Sequence, residues 1–251
     1  MKYAVITGTS KGLGASIAKQ LMEASVHVIG LARGKNQELE HADLPGSYKH
    51  YQVDLSDIKQ TEATFQNIIS FLKGQSVESL QLVQNAALVS PIEQAGKQDI
   101  AQLTAHVHVN LLAPMVVTNL WLDAWRDTDL SLVIANVTSG AANRSVYGWN
   151  AYGSTKAGLD RYTNTVALEQ ETLGTGHKVF LFDPSIMDTD MQGEIRSADP
   201  SQFVDVDQFK NYKAENKLRD TDVVAKVLVD RLLNEASIQN GEYYSVKDIF
   251  K

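Results

Sequence analysis

Tyr152 and Lys156 stand four residues apart in Tyr152-Gly153-Ser154-Thr155-Lys156, the spacing that puts two side chains on one face of a helix. A tyrosine, with a reference pKa of about 10, is a poor acid or base at neutral pH, and bringing it to about 7 takes roughly 4 kcal/mol. A unit charge about 4 Å away in an effective dielectric of about 20 supplies that much, so a lysine ammonium beside the phenol is the expected partner. The same spacing occurs on many solvated helices, and only its context gives it meaning. Upstream, Ser139 follows an apolar run in Val137-Thr138-Ser139-Gly140, where its hydroxyl can hydrogen-bond a carbonyl oxygen. Near the N-terminus the chain reads Thr7-Gly8-Thr9-Ser10-Lys11-Gly12-Leu13-Gly14. Glycines at Gly8, Gly12 and Gly14 allow a tight turn and a close approach of backbone N–H groups to a pyrophosphate, which a following helix N-terminus also attracts.

The residue ending the next strand selects the dinucleotide. An NAD site carries Asp or Glu about twenty residues after the glycine loop, where it binds the ribose 2′-hydroxyl. Here that neighbourhood is Leu31-Ala32-Arg33-Gly34-Lys35, without an acid. Arg33 as a planar fork and Lys11 from the glycine loop suit a 2′-phosphate instead. The reading is NADP(H), against the plainer one of two solvated cations.

These groups need a scaffold that brings them to one edge. Short apolar, β-branched runs occur at 3–7, 26–31, 50–53, 80–84, 132–137, 178–182 and 242–246. Runs without polar alternation indicate strands buried on both faces of a parallel sheet. Between them lie stretches with helical spacing, such as Leu13, Ile17 and Leu21, and others near 110–126, 151–171 and 220–235. Strands alternating with helices predict an α/β, doubly wound parallel sheet of about seven strands in a single domain, 1–251. With 5 prolines and no Gly/Ser linker, no boundary is apparent. The stretch from Pro184 to about Val206 lacks a period and falls at the ligand-binding edge, so it reads as a substrate loop.

Composition narrows the function classes. The chain has 251 residues, 43% hydrophobic and 21% charged, with a net charge of −7. No basic block is present, which argues against nucleic acid or an anionic membrane as partner. With 0 cysteines, disulfides, thiolate metal sites and a cysteine nucleophile are excluded. No secretory h-region opens the chain and its apolar runs fall short of a membrane span, so a cytoplasmic protein is expected. His106 and His108 form a His-x-His pair without a zinc-site partner and are read as structural histidines, with no metal.

Taken together, Thr7–Gly14, Asp54, Asn85, Asn110, Ser139, Tyr152, Lys156 and Thr189 resemble, in order and spacing and over essentially the whole chain, the short-chain dehydrogenase/reductase family. That resemblance implies a Rossmann-type sheet and hydride transfer between a nicotinamide and a carbonyl/alcohol pair. It implies that Tyr152 is the general acid in reduction, that Ser139 polarises the carbonyl, and that Lys156 lowers the Tyr152 pKa and holds the nicotinamide ribose. Asn110, at the opening of an apolar helix, would support a water relay. Asp54 and its neighbour Leu55, Asn85, Pro184, Ile186, Thr189 and Met191 would complete the cofactor site. Two departures stand out, since Ala87 and Ser185 occupy positions where the family commonly has glycine. An alanine at positive φ would cost about 1 kcal/mol.

A narrower likeness lies in residues 147–152, 108–115 and 187–192, which are similar to the branch of bacterial benzil reductases forming (S)-benzoin and, more distantly, to sepiapterin reductase. Ala141, Tyr147, Trp149 and Met187 would then wall an apolar pocket beside Ser139, suited to one carbonyl of a hydrophobic, aromatic 1,2-diketone. Alternatives are a pterin reductase, a 3-oxoacyl thioester reductase, and a non-enzymatic NADP(H)-binding redox sensor. The nearly all-apolar helix 111–125 suggests an interface, and the family's dimers and tetramers make a homodimer or homotetramer the expected assembly.

Overall fold

In the computed structural model, which describes residues 1–250, strands and helices alternate as the spacing predicts. In chain order they are β1 (Lys2–Thr7), α1 (Gly12–Glu23), β2 (His27–Ala32), the one-turn α2 (Gln37–Glu40), β3 (Tyr48–Gln52), α3 (Ile58–Lys73) and β4 (Ser79–Gln84). Then follow α4 (Ile100–Val107), a π-helical turn (His108–Leu112), α5 (Ala113–Ala124), β5 (Leu132–Val137), α6 (Asn150–Leu173) and β6 (Lys178–Asp183). The last part holds α7 (Asp190–Arg196), α8 (Val206–Ala214), α9 (Thr221–Leu233), β7 (Tyr243–Ser245) and α10 (Val246–Ile249). The seven strands form one parallel sheet in the order β3-β2-β1-β4-β5-β6-β7. The chain starts in the middle, winds outward to β3, then returns through β4 to wind the other way. The carboxyl ends of β1 and β4, where that reversal occurs, are where open α/β sheets leave a crevice.

The uninterrupted apolar runs are explained by burial on both faces. On one side α1 and α9 close over Ile6, Val83, Ala135 and Phe180. On the other, α3, α5 and α6 cover Val5, Leu82 and Ile134, with Phe65 and Trp121 meeting edge to face at 6.3 Å. The run read at 50–53 extends instead over Tyr48–Gln52, where Tyr48, His50 and Tyr51 are half-buried and Lys49 and Gln52 are exposed. As the sheet's edge strand, β3 has one neighbour and so needs less apolar surface.

Two expectations need correction. The 184–206 stretch is not without structure, because Thr189 caps α7 within it and Met187 pairs with Arg219 in a parallel bridge. Asn110 does not open a helix. It sits inside the π turn of a continuous 25-residue run, Ile100–Ala124, which is apolar and long enough to cross a membrane by length and composition. Here Val109, Val117 and Trp121 of that run pack into the core beside the sheet, and the buried Asn110 and His106 interrupt its middle.

Candidate active site

The crevice at the carboxyl edge has a volume of about 550 Å³. Its walls include Gly8, Ser10, Lys11, Gly12 and Leu13 from the glycine loop, Arg33 after β2, Asp54 and Leu55 after β3, and Asn85 after β4. Tyr152 and Lys156 of α6, with Pro184, Met187, Thr189 and Met191, form the far side. Most of the residues singled out in the sequence thus meet at this cleft. Ile186 faces elsewhere, and its carbonyl accepts the Arg219 N–H at 3.1 Å.

The glycine loop is shaped for a close ligand. Gly8 and Gly12 have φ of 79° and 59°, which an L side chain rarely adopts. A Cβ on Gly8 would stand 2.8 Å from the Asn85 amide nitrogen. Asn85 in turn donates to the Thr7 carbonyl at 3.0 Å, lashing β4 to the loop. The N-cap of α1, Lys11, makes no side-chain cap, and the first turn carries no acid. Its free N–H groups therefore point an uncompensated positive end at the cleft. A nicotinamide dinucleotide pyrophosphate fits that cradle.

The basic positions differ in availability. Arg33 lines the cleft and its charge helps hold the Asp54 carboxyl below its ordinary range, after the two hydrogen bonds from Ser56. Lys11 is ion-paired with Asp190 of α7 across the mouth. Asn36 braces the same loop, donating to the Ser10 carbonyl at 3.2 Å while capping α2.

Burial dominates the chemistry at α6. Tyr152 is 8% exposed and its pKa is pushed up to about 12, chiefly by desolvation, with the Ser139 hydroxyl pulling against it and the Asp183 charge adding to it. The expected lowering by Lys156 is absent. The Lys156 Nζ lies 6.0 Å from the Tyr152 ring centroid and donates to the Val137 carbonyl at 2.8 Å. Burial brings Lys156 down to about 8, while Asp160 and Asp183 favour its charged form. Asp160, desolvated, rises to about 6 and accepts from the Thr138 hydroxyl. Asp183 accepts from Tyr243 at 3.0 Å and from the Ser185 N–H at 2.9 Å. The lysine thus bonds to a backbone carbonyl above the Tyr152 ring, and its charge is supported by two nearby carboxylates. These carboxylates were missed, although Lys156 and Asp160 at i, i+4 were a legible signal.

The expected pocket wall is only partly formed. Ser139 meets Tyr152, and Met187 lines the cleft. Trp149 and Ala141 instead lie in a buried cluster behind Tyr152, where Trp149 stacks on Phe203 at 4.9 Å. Tyr147 is 49% exposed on the surface. Their apolar character serves the packing that holds Tyr152 in place. The two departures from glycine also resolve differently. Ala87 does not have a positive φ, whereas Ser185 does, at 62°. Ser185 is held there by its N–H bond to Asp183 and by Arg219 donating to its hydroxyl at 3.1 Å.

A parallel sheet in this order, with a glycine cradle at its reversal and a Ser/Tyr/Lys group beside it, defines a nicotinamide-dependent oxidoreductase acting on carbonyl or hydroxyl groups. The short chain dehydrogenase family profile matches residues 2–200, and the chain belongs to that family. It is 36% identical to benzil reductase ((S)-benzoin forming) of Bacillus cereus over 99% of this chain and 100% of that protein. It is 34% identical to the enzyme of the same name from Bacillus subtilis strain 168, over 99% of each. Among solved structures, a short-chain dehydrogenase/reductase from Saccharomyces cerevisiae superimposes with a TM-score of 0.81 at 26% identity, covering 98% of this chain and 96% of that one.

Proposed function

We propose that this protein is an NADPH-dependent carbonyl reductase that converts one carbonyl of a hydrophobic 1,2-diketone to an (S)-hydroxyketone. The observation that carries the reading is the buried Tyr152 phenol, turned toward Ser139 at the edge of a dinucleotide-sized cleft. Full-length likeness to the two Bacillus benzil reductases supports the substrate class. The missing acid after β2 and the cleft-lining Arg33 support NADP(H) over NAD(H).

Residues 8–14, Arg33, Asp54, Leu55, Asn85 and Thr189 would hold the dinucleotide, which supplies a hydride when bound. A phenol whose pKa is about 12 stays protonated at neutral pH, so Tyr152 delivers its proton to the carbonyl oxygen while Ser139 donates to the same oxygen. Stabilising that developing charge in a water-poor site is the main source of rate. Lys156 holds the ribose and supplies positive charge, with Asp160 and Asp183 sustaining that charge. Asn110 fixes the loop after β4. One reduction suffices because the pocket fits a planar diketone less well once a carbon has become tetrahedral.

We also propose that copies associate through the outer faces of α5 and α6, where Met115, Leu168 and Leu173 are exposed, and that the protein works in the cytoplasm. The test of function is NADPH absorbance loss with benzil, 1-phenyl-1,2-propanedione, sepiapterin and an acetoacetyl thioester, followed by chiral analysis of the product. The expected result is the highest kcat/KM on the diketones and an (S)-hydroxyketone. Preference for the pterin or thioester overturns the substrate class, and an (R) product overturns the stereochemistry.

A further inference from the structure

His106 is a fully buried titratable group that the chemistry above leaves unused. Its Nδ1 lies 2.7 Å from the Ser90 carbonyl oxygen, so Nδ1 carries a proton. Its Nε2 lies 3.0 Å from the Asn110 amide nitrogen. That amide cannot be turned round. Its Oδ1 accepts from the Leu88 N–H at 2.8 Å, and its Nδ2 donates to the Leu88 carbonyl, also at 2.8 Å. The second hydrogen on Nδ2 has His106 Nε2 at 3.0 Å and the Thr155 hydroxyl oxygen only at 3.5 Å, so the nearer contact gives Nε2 the lone pair. The Thr155 hydroxyl, 3.1 Å from the same nitrogen, ties this group to α6 three residues beyond Tyr152. The imidazole ring also meets the Tyr152 ring edge-on, with centroids 6.2 Å apart.

We infer that His106, as the neutral Nδ1–H tautomer, is a positioning residue of the site: it holds Asn110 on the Leu88 backbone and joins that unit to the helix carrying Tyr152. The inference rests on the reductase reading above. Leu88 lines the cleft, so an Asn110 amide that swings loosens the wall against which substrate and cofactor are aligned. A second proton on His106 would set one N–H against another and break this arrangement. Burial holds the imidazole below the ordinary histidine range and Lys156 pushes in the same direction, against the backbone carbonyls of Ser90 and Ala151, which favour the charged form. The charged and titratable groups that face it are Lys156 and Tyr152 of α6. On the loop side it meets only the Ser90 carbonyl, and the hydroxyl of that serine donates to Glu194 of α7. On its own helix, His108 turns away to the Ser56 carbonyl at 2.7 Å.

The test compares wild type, His106→Phe and His106→Gln. Phenylalanine removes the acceptor, whereas glutamine places an amide oxygen near the Nε2 position without a titrating group. The readouts are kcat against pH with NADPH and 1-phenyl-1,2-propanedione, the NADPH Kd by fluorescence, and hydrogen exchange at the Leu88 amide. His106→Phe should lower kcat by about tenfold or more with an NADPH Kd within about threefold of wild type, and should speed Leu88 exchange by about tenfold. His106→Gln should restore kcat and Leu88 protection to within about threefold of wild type and lose the fall in kcat on the acid side. An acid limb in His106→Gln that superimposes on wild type overturns the inference, as do an unchanged kcat and Leu88 protection in His106→Phe. Should the phenylalanine variant not fold, the glutamine profile decides alone. A wild type that reduces no ketone overturns the reductase reading, and Leu88 exchange in the variants still decides the role of His106.

Discussion

A phenol that burial holds at about 12 is protonated at neutral pH, so it has a proton to give to a developing alkoxide, although it is a weaker acid than a free tyrosine. In the proposed reaction Tyr152 is the proton donor. Tyr152→Phe deletes only the phenolic oxygen and leaves the ring in its cluster with Trp149 and Phe203. Folding and NADPH binding should survive while kcat falls by about 10²–10⁴, measured by steady-state assay beside NADPH titration. Retention of more than about a tenth of wild-type kcat would mean that another group supplies the proton. In the proposed NADP(H) site Arg33 serves the adenosine end. Arg33→Ala should raise KM for NADPH by about tenfold and leave KM for NADH nearly unchanged, because one charge-assisted contact is worth roughly 1–2 kcal/mol. An equal kcat/KM for the two cofactors in the unmutated protein would refute that assignment.

Among the elements, the connection from β6 to α7 forms the far wall of the cleft. It leaves the sheet at Asp183, turns at Ser185 with φ of 62°, pairs Met187 with Arg219 and ends at the Thr189 cap. Across the mouth, Asp190 at the start of α7 makes a solvent-exposed ion pair with Lys11 of the glycine loop. A serine in the left-handed region costs about 1 kcal/mol relative to glycine, offset here by a side-chain bond of similar size from Arg219. Ser185→Ala keeps the strained φ and loses that bond, so it should lower stability by about 1 kcal/mol. Ser185→Gly loses the bond and relieves the strain, and should be about 1 kcal/mol more stable than the alanine variant. Urea unfolding of the three proteins checks the order. An alanine variant as stable as the glycine one would show that the turn is not strained.

For the whole molecule, the carboxyl edge of the sheet concentrates buried charge, and stability must follow pH there. Asp160 has a folded pKa of about 6, above its ordinary value of 3.8. The folded state then binds its proton more tightly than the unfolded chain does. That contribution to stability is fully present below about pH 4 and is lost as pH rises through about 6. Asp160→Asn cannot titrate but keeps an oxygen for the Thr138 hydroxyl. Its urea midpoint should therefore fall less between pH 4 and pH 7 than that of wild type. A wild-type difference as small as the variant's would show that Asp160 titrates normally in the folded protein.

The sheet, its parallel sense and its single domain were legible because the signals are local. Apolar runs without alternation indicate strands covered on both faces, as the inner strands are, while the edge strand β3 is less buried, and each run lies within a few residues of its observed place. The glycine cradle and the Tyr152–Lys156 spacing were legible for the same reason, since each is one turn of chain. Direction and depth were not. That Lys156 turns to the Val137 carbonyl, that Trp149 packs with Tyr152 and Phe203, and that Asp190 pairs with Lys11 depend on contacts between elements that the fold brings together. His106 shows the limit most clearly. In the sequence it is one half of a His-x-His pair. Its tautomer and its place behind Asn110 exist only once Ser90, Leu88 and Thr155 converge on it. Spacing along a helix assigns a side chain to a face, but burial and hydrogen-bond partners are properties of the packed molecule, and these set the protonation states on which the chemistry runs.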